Sequence, residues 1–169
     1  MRVGTGYDSH RFDPERPLLL GGVRVPDHAG LTGHSDGDAV AHAVIDAILG
    51  AAGAGDVGHH FPPGEERWRG ADSIELLERA TEVLRTHDFK VVNVDVTVVC
   101  ETPRIGPHAS AMAERLAGAM AVASSAVSVK GKTNEGMGWI GRGEGIAVHA
   151  VALIDRVTLQ SPSGGIAPL

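Results

Sequence analysis

Residues 34–53 have the sequence HSDGDAVAHAVIDAILGAAG, in which apolar residues recur every three to four positions. This period predicts an amphipathic helix over residues 36–52. Ser35 stands at the expected N-cap position, with Asp38 three residues further on. The helix is expected to pack one face against a core, through Val40, Ala43, Val44, Ala47, Ile48 and Ala51.

Strand patterns precede and follow this helix along the chain. They cover residues 1–10, 18–25, 91–99, 126–132 and 145–156. Gly21 and Gly22 mark a hairpin turn within the second of them. Further helices are predicted from Asp72 and over residues 107–120. Because strands and helices mix without strict β-α-β repetition, the order predicts an α+β fold, with a single mixed β-sheet and helices packed on one face.

The composition is that of a globular protein, with 43% hydrophobic and 21% charged residues. We expect one domain over residues 1–157 and a Pro-, Gly- and Ser-rich C-terminal tail over residues 158–169. The net charge of −6 argues against nucleic-acid binding. The one cysteine, Cys100, fits a reducing compartment, and no apolar run approaches the roughly 20 residues of a membrane span. The expected location is therefore cytoplasmic, with no nucleic-acid or membrane partner.

Three side chains in two elements predict a metal site. Asp8 and His10 are two residues apart on a strand, so their side chains leave the same face. His42 lies on the helix, four residues before Asp46. If the helix packs on the first strand, one carboxylate and two imidazoles converge, a set that suits Zn²⁺ with an open fourth position. Asp46 is then a candidate hydrogen-bond partner for a ligand imidazole, and an ordinary solvated helix face is the alternative.

Other segments have the residue types of anion-binding loops. His34 and Ser35 open the predicted helix, where free N–H groups favour phosphate. Residues 130–136, KGKTNEG, combine backbone N–H groups with cations, a hydroxyl and a carboxylate, and Arg142 lies between glycines further on. Ordinary turns are the alternative interpretation, since the Walker pattern GxxxxGK[ST] is absent from the sequence.

Together these segments resemble the cyclodiphosphate synthase family over roughly residues 1–154. The motifs are GYDSH at 6–10, HSDGD at 34–38, VDVTVV at 94–99, PRIGPH at 103–108, KTNEG at 132–136 and GRGEGIA at 141–147. The resemblance implies a homotrimeric, metal-dependent phosphorus–oxygen lyase with active sites at subunit interfaces. It implies conversion of 4-diphosphocytidyl-2-C-methyl-D-erythritol 2-phosphate to 2-C-methyl-D-erythritol 2,4-cyclodiphosphate and CMP, in the non-mevalonate isoprenoid pathway.

The resemblance also implies roles for single residues. Asp8, His10 and His42 are the implied zinc ligands, and Glu135 is implied to hold a second divalent ion, Mg²⁺ or Mn²⁺. His34 and Thr133 are implied to act in catalysis by positioning the reacting phosphates. The full implied set of substrate contacts is Asp8, Ser9, His10, His34, Ser35, Asp56, Val57, Gly58, Phe61, Pro62, Pro63, Gly64, Glu65, Cys100, Glu101, Thr102, Pro103, Arg104, Ile105, Gly106, Lys132, Thr133, Asn134, Glu135, Trp139 and Arg142.

The sequence departs from the family pattern at three of these positions. Pro63 stands where the family usually has Asp, so Glu65 or Glu66 is a candidate for recognition of a sugar hydroxyl. Trp139 replaces a usual Phe or Leu, and Cys100 stands where a small residue is common. Two rival functions are a zinc-dependent phosphoesterase that uses water, and a non-catalytic trimer that binds isoprenyl diphosphates through Arg142.

Overall fold

The computed structural model describes residues 1–157, and the predicted tail at residues 158–169 lies outside this described part. The strands are β1 (Arg2–Leu20), β2 (Val23–Leu31), β3 (Phe89–Val99), β4 (Val127–Lys132) and β5 (Gly145–Arg156). The helices are α1 (Ala39–Ala52), α2 (Val57–His60), α3 (Ser73–Thr86), α4 (Ala109–Met120) and α5 (Gly138–Gly141). None of these helices is both long and apolar enough to cross a membrane.

The strands form one mixed five-stranded sheet in the order β2-β1-β5-β3-β4. The β3–β4 pair is parallel and the other pairs are antiparallel. One face of the sheet is buried, for example at Val96, Val148 and Ile154, while Val3 and Tyr7 on the opposite face of β1 are exposed. Alternate residues of a strand face opposite sides, which explains this division. The predicted α+β class with a mixed sheet is confirmed.

Helix α1 lies directly on the backbone of β1. A Cβ atom at Gly6 would be 1.9 Å from the carbonyl oxygen of Ala43, and one at Gly4 would be 2.1 Å from that of Ala47. No side chain fits at such distances, so glycine is required at both positions. The close approach brings the polar residues of α1, His42 and Asp46, over the strand that contains Asp8.

The predicted start of α1 is wrong by three residues. The helix begins at Ala39, and its N-cap is Asp38, not Ser35. The Asp38 carboxylate is fully buried and accepts hydrogen bonds from the Val40 and Ala41 amides at 3.0 and 3.1 Å. These are amides that an anion at the helix N-terminus would need, so a phosphate there would have to compete with Asp38 for them. His34 and Ser35 lie in the loop before the helix.

Asp38 also fastens the first hairpin to this helix. Its carboxylate accepts the Gly21 and Gly22 amides at 2.8 and 2.6 Å, and these two residues form the turn between β1 and β2. One carboxylate therefore takes four backbone donors from two elements, which offsets the cost of burying its charge.

Other boundaries differ in smaller ways from the predicted ones. The predicted hairpin with its turn at Gly21 and Gly22 is confirmed, but its first arm is continuous with the first predicted strand in β1, and the pairing of β1 with β2 shifts register between Asp13 and Leu18. Residues 56–71, for which the sequence pattern indicates no helix or strand, contain α2 and a 3₁₀ turn at Glu66–Trp68. The helix predicted from residue 107 begins at Ala109, after a 3₁₀ turn. Short turns of this kind have no hydrophobic period, so a sequence pattern does not detect them.

Candidate active site

The side chains of Asp8, His10 and His42 converge where α1 crosses β1. One ligand atom from each lies within 4.8 Å of the others. Asp8 Oδ2 is 2.9 Å from His10 Nε2 and 3.1 Å from His42 Nδ1. The predicted convergence is confirmed, and a carboxylate with two imidazoles is a donor set that fits Zn²⁺ and leaves a position for another ligand. The identity of the metal stays a prediction.

Asp8 and His42 shift each other's pKa within this cluster. Burial acts to raise the pKa of Asp8, but hydrogen bonds from His10 and His42 outweigh it and hold that pKa well below its usual range. For His42, burial acts to lower the pKa, and its hydrogen bond to Asp8 raises it above the ordinary value. The cluster therefore presents an ionised carboxylate between imidazoles, and a bound cation would replace their shared protons.

The second ring nitrogen of His42 faces two serine hydroxyls. Nε2 lies 3.0 Å from Ser35 Oγ and 3.0 Å from Ser73 Oγ. The predicted partner, Asp46, instead accepts the Val57 N–H at 2.8 Å, and no hydrogen bond joins it to a ligand imidazole within residues 1–157. One turn further along α1, Asp46 reaches the free amide at the start of α2, which accounts for the wrong prediction. Burial raises the pKa of this carboxyl.

A cleft of about 240 Å³ opens beside the cluster. Trp68 contacts Phe61 edge-on at 5.1 Å between ring centroids, and both side chains line this cleft. Asp56 lies behind the cleft as the N-cap of α2, where it accepts the His59 amide at 2.8 Å. Besides the three metal-site residues, the cleft is lined by His34, Ser35, Asp46, Val57, Gly58, Phe61, Pro63, Trp68 and Leu76. Pro62, Gly64 and Glu65 flank this lining set without belonging to it.

A second cleft, of about 580 Å³, lies at the edge of the sheet formed by β3 and β4, beyond the end of β3. Its floor includes Gly131, where a Cβ atom would be 2.8 Å from Ile105 Cβ. Burial raises the pKa of the Cys100 thiol to about 11, so the thiol stays protonated near neutral pH. The predicted residues that line it are Cys100, Glu101, Pro103, Arg104, Ile105, Gly106, Lys132 and Thr133.

The turn that follows β4 is held in place by Glu101. The Glu101 carboxylate accepts the amides of Asn134 and Gly136 at 2.9 and 3.2 Å, on either side of Glu135. Glu135 has a φ of +52°, a left-handed conformation that non-glycine residues seldom adopt, so the two hydrogen bonds stabilise a strained turn. Thr133 Oγ1 donates to Glu135 Oε1 at 3.0 Å. The predicted phosphate-handling residues of this segment are therefore adjacent in space.

Among the predicted contact residues that line neither cleft are Ser9, Thr102, Trp139 and Arg142. Ser9 and Trp139 line a third depression together with Glu144 and His10 of the metal cluster, and Arg142 Nε donates to Glu144 Oε1 at 2.6 Å. The hydroxyl of Thr102 is 3.0 Å from Nε2 of His28, on β2. The structure therefore places Ser9 and Trp139 beside His10, with Arg142 joined to the same depression through Glu144, whereas Thr102 contacts β2.

Buried core separates the two clefts within one chain. Asp8 pairs with Val148 on β5, Val148 pairs with Val98 on β3, and Val98 pairs with Gly131 on β4. Three strand spacings make the distance from Asp8 to Gly131 about 14 Å. Both valines between them are fully buried. A ligand that touched both clefts of a single chain would have to cross the helical layer.

The profile of the YgbB family matches residues 1–155 of the chain. The chain belongs to the YgbB family. A relative from Symbiobacterium thermophilum is 53% identical over 154 residues, which cover 91% of this chain and 98% of the relative. One from Xanthomonas oryzae pv. oryzae is 52% identical over 156 residues, which cover 92% and 96%. Both relatives are named 2-C-methyl-D-erythritol 2,4-cyclodiphosphate synthase, so the predicted family is confirmed.

A solved structure gives the same result at the level of the fold. It is described as a 2C-methyl-D-erythritol-2,4-cyclodiphosphate synthase in a form bound to CDP. The YgbB-family chain superposes on it with a TM-score of 0.83 and 36% identity, over 91% of this chain and 100% of the other. The relative thus binds a cytidine diphosphate on the fold described above.

The sequence did not predict several residues that complete the site of this YgbB-family chain. Ser73 and Leu76 come from α3, more than thirty residues after His42. Asp36 accepts both the amide and the hydroxyl of Ser73, at 2.9 and 2.5 Å. Only a prediction of the contact between α1 and α3 would have identified them, because no local spacing joins these residues.

Proposed function

We propose that the chain is a metal-dependent phosphorus–oxygen lyase that converts 4-diphosphocytidyl-2-C-methyl-D-erythritol 2-phosphate to 2-C-methyl-D-erythritol 2,4-cyclodiphosphate and CMP. The observation that carries the proposal is the convergence of Asp8, His10 and His42 in a chain whose relatives have this synthase name. The reaction would belong to the non-mevalonate pathway of isoprenoid biosynthesis. Residues 1–157 would form the catalytic domain and residues 158–169 an appended tail.

The reaction joins two parts of one molecule. The 2-phosphate oxygen attacks the β-phosphorus of the cytidine diphosphate group, a new P–O–P bond forms, and the bond to CMP breaks. The nucleophile is already an anion near neutral pH, so no strong base is needed. Repulsion between the anions is the main barrier, and fixed cations and N–H donors lower it.

The zinc cleft would hold the methylerythritol phosphate part of the substrate. His34 and Ser35 line this cleft and provide polar hydrogen-bonding groups next to the cluster. Phe61 and Trp68 form an apolar wall that limits access of water. Zinc held by Asp8, His10 and His42 would supply Lewis acidity at a phosphate oxygen.

The second cleft would hold the cytidine part and the diphosphate. Arg104 and Lys132 at its rim provide positive charge that the chain, with a net charge of −6, otherwise lacks for a polyanion. Thr133 would donate its hydroxyl to a phosphate oxygen. Glu135, beside it, would hold Mg²⁺ or Mn²⁺ against the diphosphate, since a carboxylate is the ligand that these hard cations prefer.

The active assembly would be a homotrimer with each site shared between neighbouring subunits. Two observations support this proposal. The two clefts of one chain are separated by buried valines, so an interface is the simplest way to join a zinc cleft to a cytidine cleft. The sheet face away from the helices exposes apolar side chains, with Val3, Tyr7 and Val151 64%, 52% and 43% accessible. Apolar patches of this kind mark interfaces.

Cytoplasmic location is part of the same proposal. Cys100 is a free, buried thiol, and such thiols persist in reducing compartments.

Product analysis tests the proposed reaction against its rivals. We expect the zinc- and magnesium-loaded protein to release CMP and the cyclic diphosphate in equal amounts, measured by chromatography and ³¹P NMR. Release of inorganic phosphate without a cyclic product would instead identify a phosphoesterase. Binding without turnover would favour the isoprenyl-diphosphate-binding trimer, and either result would refute the synthase.

The role of Glu135 is tested by its change to Gln. The amide keeps the shape of the side chain but removes the charge that would hold the divalent ion, so the Mg²⁺ concentration for half-maximal activity should rise about tenfold or more. Zinc content, measured by atomic absorption, should stay normal. Glu78→Gln, on the exposed face of α3, is the matched control and should leave the Mg²⁺ requirement unchanged. Loss of zinc in Glu135→Gln would show that Glu135 belongs to the zinc site and that the two metal sites were confused.

A further inference from the structure

The two ring nitrogens of His42 face different surroundings, the predicted metal site on one side and buried hydroxyl groups on the other. Nδ1 faces Asp8 and His10, while Nε2 faces Ser35 and Ser73. A ring nitrogen that binds a metal carries no proton, so the proton of the neutral ring must be on Nε2. This N–H needs an acceptor, and the two serine hydroxyls at 3.0 Å are placed to provide one.

The two hydroxyls differ in where their own protons go. Ser73 is fully buried, and its Oγ donates to Asp36 Oδ1 at 2.5 Å. Its oxygen is therefore left as an acceptor and is polarised by a carboxylate. Ser35 Oγ, by contrast, lies 3.4 Å from both the Gly37 amide and Ser73 Oγ and lines the zinc cleft. Its hydroxyl is free to turn toward a substrate.

Asp36 is fixed more firmly than a surface carboxylate would be. Its Oδ2 accepts the Ser73 amide at 2.9 Å, and its Oδ1 accepts the Asp38 amide at 3.1 Å as well as the Ser73 hydroxyl. The Asp36 amide in turn donates to the Ala71 carbonyl at 3.1 Å. These hydrogen bonds join the loop before α1 to the first turn of α3, so the acceptor for His42 is held by two elements.

We propose that a hydrogen-bonded chain from His42 Nε2–H to Ser73 and on to Asp36 orients His42 for metal binding, and that Ser35 is left to contact the substrate. Ser73 is then a positioning residue. It selects the Nε2–H tautomer and makes Nδ1 a better ligand, as an anionic partner does for metal-bound histidines generally. The inference rests on the zinc site of the proposed function.

Zinc affinity of two matched variants tests the proposal. Ser73→Ala and Ser35→Ala remove hydroxyls at the same distance from the same nitrogen. We expect competition with a chromophoric chelator to show zinc binding weakened about 10- to 100-fold in Ser73→Ala, and changed by less than about threefold in Ser35→Ala. Ser35→Ala should instead raise KM. Equal losses in both variants, or a larger loss in Ser35→Ala, would overturn the assignment of Ser73.

A measurement on the unmodified protein covers the case in which Ser73→Ala does not fold. In the zinc-loaded protein with ¹⁵N-labelled histidine, the Nε2–H proton of His42 should give a slowly exchanging signal with NOEs to the Ser73 β-protons. NOEs to Ser35 alone would contradict the proposal. If the wild-type protein binds no zinc, the metal site of the proposed function fails. Normal zinc binding without the Ser73 contact refutes only this inference.

Discussion

We expect the replacement of His42 with alanine to remove zinc binding and CMP release together. The change deletes one of three protein ligands and leaves Asp8 and His10, which cannot enclose the ion. Loss of a Lewis acid worth several kcal/mol corresponds to a fall in kcat of about 10³-fold or more. Zinc per chain, measured by atomic absorption after gel filtration, and CMP release on the same sample are the two readouts.

Asp46→Asn provides the control on the same helix. Asp46 lies one turn after His42 and accepts the Val57 amide, which an asparagine oxygen can also accept. This variant should keep a full complement of zinc. His42→Ala protein that is free of metal yet fully active would refute the zinc assignment. If Asp46→Asn also loses zinc, the prediction that Asp46 is a hydrogen-bond partner of the ligand histidine would be supported after all.

Two inactive variants should regain activity when refolded together. His42→Ala damages the zinc cleft and Thr133→Ala damages the cytidine cleft, so each homotrimer has only defective sites. In a random mixture of equal amounts, a site is intact only when its zinc side comes from Thr133→Ala and its cytidine side comes from His42→Ala. That arrangement has a probability of about one quarter in a cyclic assembly with head-to-tail interfaces. We expect about a quarter of wild-type activity.

A second mixture serves as the control for this experiment. His42→Ala and His10→Ala both damage the zinc cleft, so no exchange of subunits can rebuild an intact site, and this mixture should stay inactive. Mass spectrometry under native conditions must first show that mixed trimers form. If they form and the first mixture still has only the activity of its parents, each chain has a complete site of its own and the shared site is refuted.

The metal cluster was predictable because its pattern is local. Asp8 and His10 lie two apart on a strand, and His42 lies on a helix with a clear apolar stripe, so each side chain's direction follows from a regular period. Their convergence required one tertiary assumption, that the helix packs on the first strand. Gly4 and Gly6 satisfy that assumption, since only glycine permits the contact with α1.

The partner of His42 was not predictable for the opposite reason. Asp46 stands one helical turn from His42, and local spacing favours it. In the folded chain, Asp46 accepts a hydrogen bond from the Val57 amide, and Ser73 of α3 lies next to His42 in its place. The same competition explains the N-cap. Ser35 and Asp38 are both good capping residues, and the buried hairpin turn selects Asp38 by adding the amides of Gly21 and Gly22.

The contact of α1 with the glycine backbone of β1 also limits which substitutions the sequence can accept during evolution. At positions 4 and 6 the backbone of β1 lies against the backbone of α1 and the small Ala51 side chain, and this contact sets the spacing between the strand of Asp8 and the helix of His42. Substitutions elsewhere in the core are therefore expected to leave the relative positions of the three predicted ligand side chains unchanged. Positions 4 and 6, although they lie outside the metal cluster and line neither cleft, should be as intolerant of mutation as the predicted ligands. A screen of all single substitutions would then find glycines among the positions with the strongest functional constraint.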